Sequence, residues 1–110
     1  MITINEFITP PNHFGFKAKK ITGKIKGKIT NCSIAYIEPQ GGGPKPSHTH
    51  LHAHFFIVIE GTATIKMNEK KIKLDINESI LVPGVEDHSI WNETDKPLKM
   101  LGITIHDENL

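Results

Sequence analysis

The stretch HTHLHAHFFIVIEG, residues 48 to 61, sets four of the chain's seven histidines at every second position and then enters an unbroken apolar run. A period of two is the mark of extended chain, because successive strand residues point to opposite faces. A straight strand would put His48, His50, His52 and His54 on one face, spread over roughly 20 Å at about 3.3 Å per residue. A single ion needs its ligands at about 2.0–2.2 Å. Shared ligation therefore requires a bend. A turn over residues 51 to 53 brings His54 back toward His48 and His50 and carries His52 outward.

The rest of the chain also reads as strand. Residues 63 to 74, ATIKMNEKKIKL, alternate apolar residues with lysine, with Ile65 and Met67 before a turn and Ile72 and Leu74 after it. This is a half-buried hairpin. Residues 31 to 37, 79 to 82, 88 to 92 and 98 to 105 supply further short strands. The stretch PQGGGPKP, residues 39 to 46, reads as a loop. No helix longer than about two turns is expected, and many short strands between turn signals predict a β-sandwich or barrel. With 110 residues and no linker, the chain is expected to form one domain over 1–110.

Composition removes several classes of partner. A formal net charge of +1 gives no reason to expect nucleic acid or an anionic membrane. All 13 basic residues are lysine, so the bidentate clamp that arginine offers phosphate or carboxylate is missing. Six lysines fall between residues 17 and 28 without interleaved aromatics, and they read as a solvated edge rather than an anion site. Cys32 is the only cysteine. A reducing, cytoplasmic setting is expected from it, from the lack of a leader-like N-terminus, and from the absence of an apolar run near the roughly 20 residues a membrane span needs. Cys32 itself reads as a small buried apolar residue.

A compact site needs a distant ligand, and His88 offers one. It follows the turn Pro83-Gly84-Val85-Glu86-Asp87 and opens a short strand. Neutral imidazoles suit transition metals rather than calcium or magnesium. The order Gly42, His48, Thr49, His50, His54, Gly61 resembles the first motif of the cupin family, over 42–61. The order Pro83, Val85, His88, Asn92 resembles the second, over 77–92. The resemblance implies an all-β fold, the cupin-type double-stranded β-helix or jelly-roll barrel. It also implies one divalent transition metal (Mn, Fe, Ni, Co, Cu or Zn) held by His48, His50, His54 and His88. His54 stands where the family usually has glutamate, and His52 falls where cupins often carry a histidine that is not a ligand. Four neutral imidazoles leave the metal's charge uncancelled, which favours Lewis acidity.

Parity sketches the interior. Phe56 and Val58 share the face of His54, and Ile90 that of His88. Ser33, Ala35 and Ile37 are placed inward from one strand, and Met100, Gly102 and Thr104 from the last. This lining holds no evident general acid or base. His13 and His106 fall outside the motifs and read as solvated, Glu60 as exposed, and Trp91 as facing away from the metal, against an extension or a second subunit. Phe55, Ile57 and Ile59 make the opposite face of their strand apolar too, which predicts cover by another sheet or another copy, hence a homodimer. The expected function is a metal-dependent enzyme on a small organic molecule, of oxidoreductase or dioxygenase type, with isomerase or lyase chemistry also open. The alternative is a non-catalytic small-molecule or metal-binding module.

Overall fold

The computed structural model describes residues 7–20 and 29–106. Among the described residues eight strands run in order: β1 Phe14–Lys20, β2 Ile29–His48, β3 Ala53–Glu60, β4 Ala63–Met67, β5 Lys70–Leu74, β6 Ser79–Val82, β7 His88–Trp91 and β8 Leu98–Ile105. All pairings between them are antiparallel. The sheet runs β5-β4-β7-β2-β8-β3-β6, with β1 added beside β2. It curls into a nearly closed jelly-roll barrel. No helix among the described residues is long and apolar enough to cross a membrane.

The 63–74 hairpin forms in the expected register, Ala63 opposite Leu74 and Ile65 opposite Ile72. Asn68 supplies the left-handed turn residue at φ 56°, a conformation that asparagine tolerates well. Val58, Ile65, Val82 and Leu98 are fully buried, with Ile37 and Met100 nearly so. Each such side chain contributes about 1.5–3 kcal/mol relative to leaving it in water.

The glycine- and proline-rich stretch departs from expectation. Residues 39 to 46 are not a loop but lie within β2. The first half of β2 pairs with β8 from Ile29 to Ile37, and the second half pairs with β7, where Gly42 faces Trp91 and His48 faces His88. The glycines let one strand serve both walls. A Cβ on Gly42 would stand 2.6 Å from Cε3 of Trp91, so only a residue without one lets the backbone pass beneath the indole. Asn92 fixes this corner. Fully buried, it donates from Nδ2 to the carbonyls of Ile37 (2.9 Å) and Lys96 (2.7 Å), and its Oδ1 accepts from the backbone N–H and hydroxyl of Thr94.

Of the lysine-rich run, residues 21–28 lie outside the described residues. Lys17 on β1 is exposed, and the ammonium of Lys19 sits 5.7 Å from the ring centre of Phe7. Trp91 is half-buried within its own chain, its indole N–H donating to Ser89 (2.9 Å) and its ring carrying Lys66 at 5.1 Å.

Candidate metal centre and cavity

The histidines gather where the two walls meet. His48 ends β2 and His88 begins β7, directly opposite in register. His54 lies on β3, paired with Thr104 of β8 and Val82 of β6. His50 and His52 lie in the connection between β2 and β3, which is pinned by the backbone N–H of His50 donating to the Gly84 carbonyl (2.8 Å). Ring centres lie 4.9 Å apart for His48 and His50, 4.8 Å for His50 and His88, 5.0 Å for His48 and His88, and 4.8 Å for His50 and His54. The bend that shared ligation demands is present.

The donor nitrogens form two overlapping groups: His48, His50 and His88 in one, His50, His52 and His54 in the other. His52 differs from expectation. The turn does not carry it outward. Its ring stacks on His50, centres 3.8 Å apart and planes 9° from parallel. Stacked rings hold their lone pairs in separate, nearly parallel planes, so these two are poorly disposed to converge on one ion.

The proton positions of two imidazoles follow from their partners. Nδ1 of His50 lies 2.6 Å from the His52 carbonyl, and Nδ1 of His88 lies 2.7 Å from the Glu86 carbonyl. A carbonyl only accepts, so both Nδ1 atoms carry the hydrogen and both Nε2 atoms present a bare lone pair. Those Nε2 atoms are buried and have no partner among the described residues. A buried acceptor left unmade is costly. A ligated ion would satisfy both, and a backbone carbonyl on the far nitrogen is the usual support for a metal-bound histidine. The residues present therefore fit a transition metal.

Burial pushes His54 down to about 3 and His50 down to about 4, with the neighbouring imidazoles adding to the effect and the His52 carbonyl opposing it at His50. His48 and His52 are also lowered, chiefly by burial. His48, His50, His52 and His54 are thus neutral at neutral pH, the state ligation requires.

A cavity of about 580 Å³ opens beside the cluster and takes His48, His54 and His88 into its wall. Of the residues placed inward by parity, Ser33, Ala35, Phe56, Ile90, Met100, Gly102 and Thr104 line it. Ile37 and Val58 do not: both point inward but lie in the packed core, 1% and 0% exposed. Eight lining residues were missed, and three of them show why. Asn31 shares the parity of Ser33 and Ala35, and extending that alternation by two residues would have found it. Phe16 belongs to β1, whose register with β2 no sequence pattern fixes. His13, read as solvated, is half-buried against the cavity. Ile8, Pro10 and His13, ahead of β1, join the cavity wall, with the Lys45 N–H donating to the Asn12 carbonyl (3.1 Å), and His13 packs edge-to-face on Phe16 at 4.5 Å. Burial lowers its pKa, partly offset by the Pro11 carbonyl that its Nδ1–H meets at 2.8 Å. His106 and Glu60 are exposed. Cys32 is half-buried on the outer face, its thiol pKa raised by burial.

The chain belongs to the cupin family: the family's model, described as Cupin domain, matches residues 34–104. Among curated proteins none matches. The fold is similar to that of a Pseudomonas aeruginosa protein described as glyoxylate-induced, at 17% identity and a TM-score of 0.82, over 94% of this chain and 40% of that one. The chain thus spans less than half the length of that protein. It is also similar to a predicted oxalate decarboxylase from Thermotoga maritima, at 20% identity and a TM-score of 0.81, over 96% of this chain and 94% of that one. A third likeness is to the cupin domain of an XRE family transcriptional regulator from Enterobacter cloacae, at 14% identity and a TM-score of 0.75, over 86% of this chain and 99% of that one.

Proposed function

We propose that this cupin is a metal-dependent enzyme acting on a small organic molecule, with oxidoreductase or dioxygenase chemistry first in order. The observation that carries this reading is the pair of buried, unpartnered Nε2 atoms on His50 and His88 beside a cavity large enough for a substrate. His48, His50, His54 and His88 would hold one divalent transition metal, with His52 stacked beside them. When bound, such an ion supplies Lewis-acid activation of a ligand oxygen and, if redox-active, a site for dioxygen.

The chain's own residues have defined tasks. The carbonyls of His52 and Glu86 hold the rings of His50 and His88 in one tautomer. The hydroxyl of Thr104 stands 3.3 Å from Nδ1 of His54. Phe16, Phe56, Ile90 and Met100 keep the cavity dry. Among the described residues, His13 is the only titratable lining residue outside the proposed ligand set. With Nδ1 committed to Pro11, its Nε2 is the atom free to accept a proton. The single cysteine supports placing the protein in the cytoplasm.

Oxygen consumption by the metal-reconstituted protein across β-dicarbonyls, catechols, flavonols, thiols and alkenes tests the reading. Turnover that disappears in His88→Ala supports it, and turnover that survives in His88→Ala contradicts it. A second reading, a non-catalytic ligand-binding module, is favoured by one observation: among the described residues no carboxylate or lysine lines the cavity. It predicts a compound that raises thermal stability without being consumed.

A further inference from the structure

On the inner face, three adjacent strands align their side chains in rows. Asn31 of β2 lies opposite Thr104 of β8, which lies opposite His54 of β3. One step deeper, Ser33, Gly102 and Phe56 form the next row, and Ala35, Met100 and Val58 the one below. Polarity therefore falls with depth. In the first row His54 and Thr104 face each other across 3.3 Å. Asn31 does not share in this. Its Oδ1 is buried, has no hydrogen-bond partner among the described residues, and belongs to a residue lining the cavity. A buried carbonyl oxygen that the fold leaves bare, on a residue that lines a cavity, is an acceptor waiting for a donor. Neighbouring strands are about 4.8 Å apart, so Asn31 stands about 10 Å from His54, the span of a bicyclic molecule.

The remaining wall restricts what that donor can belong to. Phe16, Phe56, Ile90 and Met100 offer apolar surface, and among the described residues no lysine, aspartate or glutamate lines the cavity. Arginine is absent from the chain. Among the described residues an acidic ligand would meet no lysine there. A cavity of about 580 Å³ is also far larger than a two-carbon diacid needs. We propose that Asn31 is a specificity residue: its carboxamide oxygen accepts a hydrogen bond from an uncharged, largely apolar ligand that carries an N–H or O–H group. This rests on the reading of the cavity as the ligand site.

Indole and benzofuran make the test. They share size and shape, but indole offers an N–H donor where benzofuran offers an oxygen. Each is titrated into the purified full chain, with affinity read from the methyl resonances of Ile90 and Met100. Wild type should favour indole by about fivefold or more, the effect of one made against one unmade hydrogen bond. Asn31→Leu should abolish the preference. Asn31→Asp, of the same shape and still an acceptor, should retain it, which separates loss of the acceptor from loss of the fold. Equal affinities in wild type, a preference for benzofuran, no binding of either compound, or a preference unchanged in Asn31→Leu would each overturn the proposal. Oxalate displacing indole at equal concentration would overturn the uncharged class. Metal content is measured on the same samples. Metal lost with indole selectivity intact counts against the histidine reading alone, and metal kept without selectivity counts against Asn31.

Discussion

The rings of His50 and His88 are oriented by carbonyls only two residues away in the chain, so each ligand candidate depends on the shape of its own turn. Gly84 is the keystone of both turns. A Cβ there would stand 2.6 Å from Nδ1 of His50 and closer still to the carbonyls of His50 and His52. Gly84→Ala should cost about 2 kcal/mol or more of stability. It should also weaken metal affinity about 10- to 100-fold by displacing the His50 ring, measured by competition with a chromogenic chelator. The lowered pKa values set a second prediction. The unfolded chain protonates His50 and His54 near 6.5, whereas the folded chain does so only near 4 and 3. Between these limits the unfolded state binds more protons, so stability of the metal-free protein rises with pH across the window and is lost as pH falls from about 6.5 toward 3. Chemical denaturation at a series of pH values checks this, and a midpoint flat from pH 7 to 4 contradicts it. At this scale the sequence was informative about spacing and blind to conformation. Alternation alone showed that His48, His50 and His54 need a bend, but not that His52 would stack on His50, because that depends on side-chain torsions in a turn.

Among the elements, β2 does the most to place the site, because it carries Asn31 and Ser33 on one wall and His48 on the other. By composition its glycines read as a loop. In fact they mark the point where a strand changes partners, and the physical signal is the close approach of Trp91 rather than flexibility. Asn92 locks that change of partner with hydrogen bonds to Ile37, Thr94 and Lys96. Asn92→Ala should strip these at a fully buried position and cost about 2–4 kcal/mol, read from denaturant midpoints. A loss under 1 kcal/mol would show that the corner holds without it. The 63–74 hairpin was legible in full, since its register is local and its turn residue is explicit. The seating of β1 and of His13 was not, since both depend on contacts between segments distant in sequence.

For the whole molecule, a barrel packed at one end by Ile37, Val58 and Leu98 and open at the other gives a cavity with its histidines at the junction of two walls. The outer surface has its own consequence. Phe55 and Ile57 of β3, Leu81 of β6, and Leu101 and Ile103 of β8 are outward neighbours in register, with Leu81 52% exposed. We propose that this face is covered by a second copy. Sedimentation should give twice the 12.3 kDa chain mass, and Leu81→Lys should shift it to the monomer. A wild-type monomer at micromolar concentration would contradict the proposal. The family and the jelly roll were legible from two spaced motifs because each motif combines turn residues with ligand residues. The lining of the cavity was only partly legible, because parity shows which residues point inward but not how deep the packed core extends.

The central claim is that the histidine cluster holds a metal. Elemental analysis of untagged protein purified without chelator tests it most directly, beside His88→Ala and His52→Ala. The account predicts close to one transition-metal ion per chain, lost in His88→Ala and kept in His52→Ala. No bound metal in the wild type, even after reconstitution at neutral pH, would contradict it.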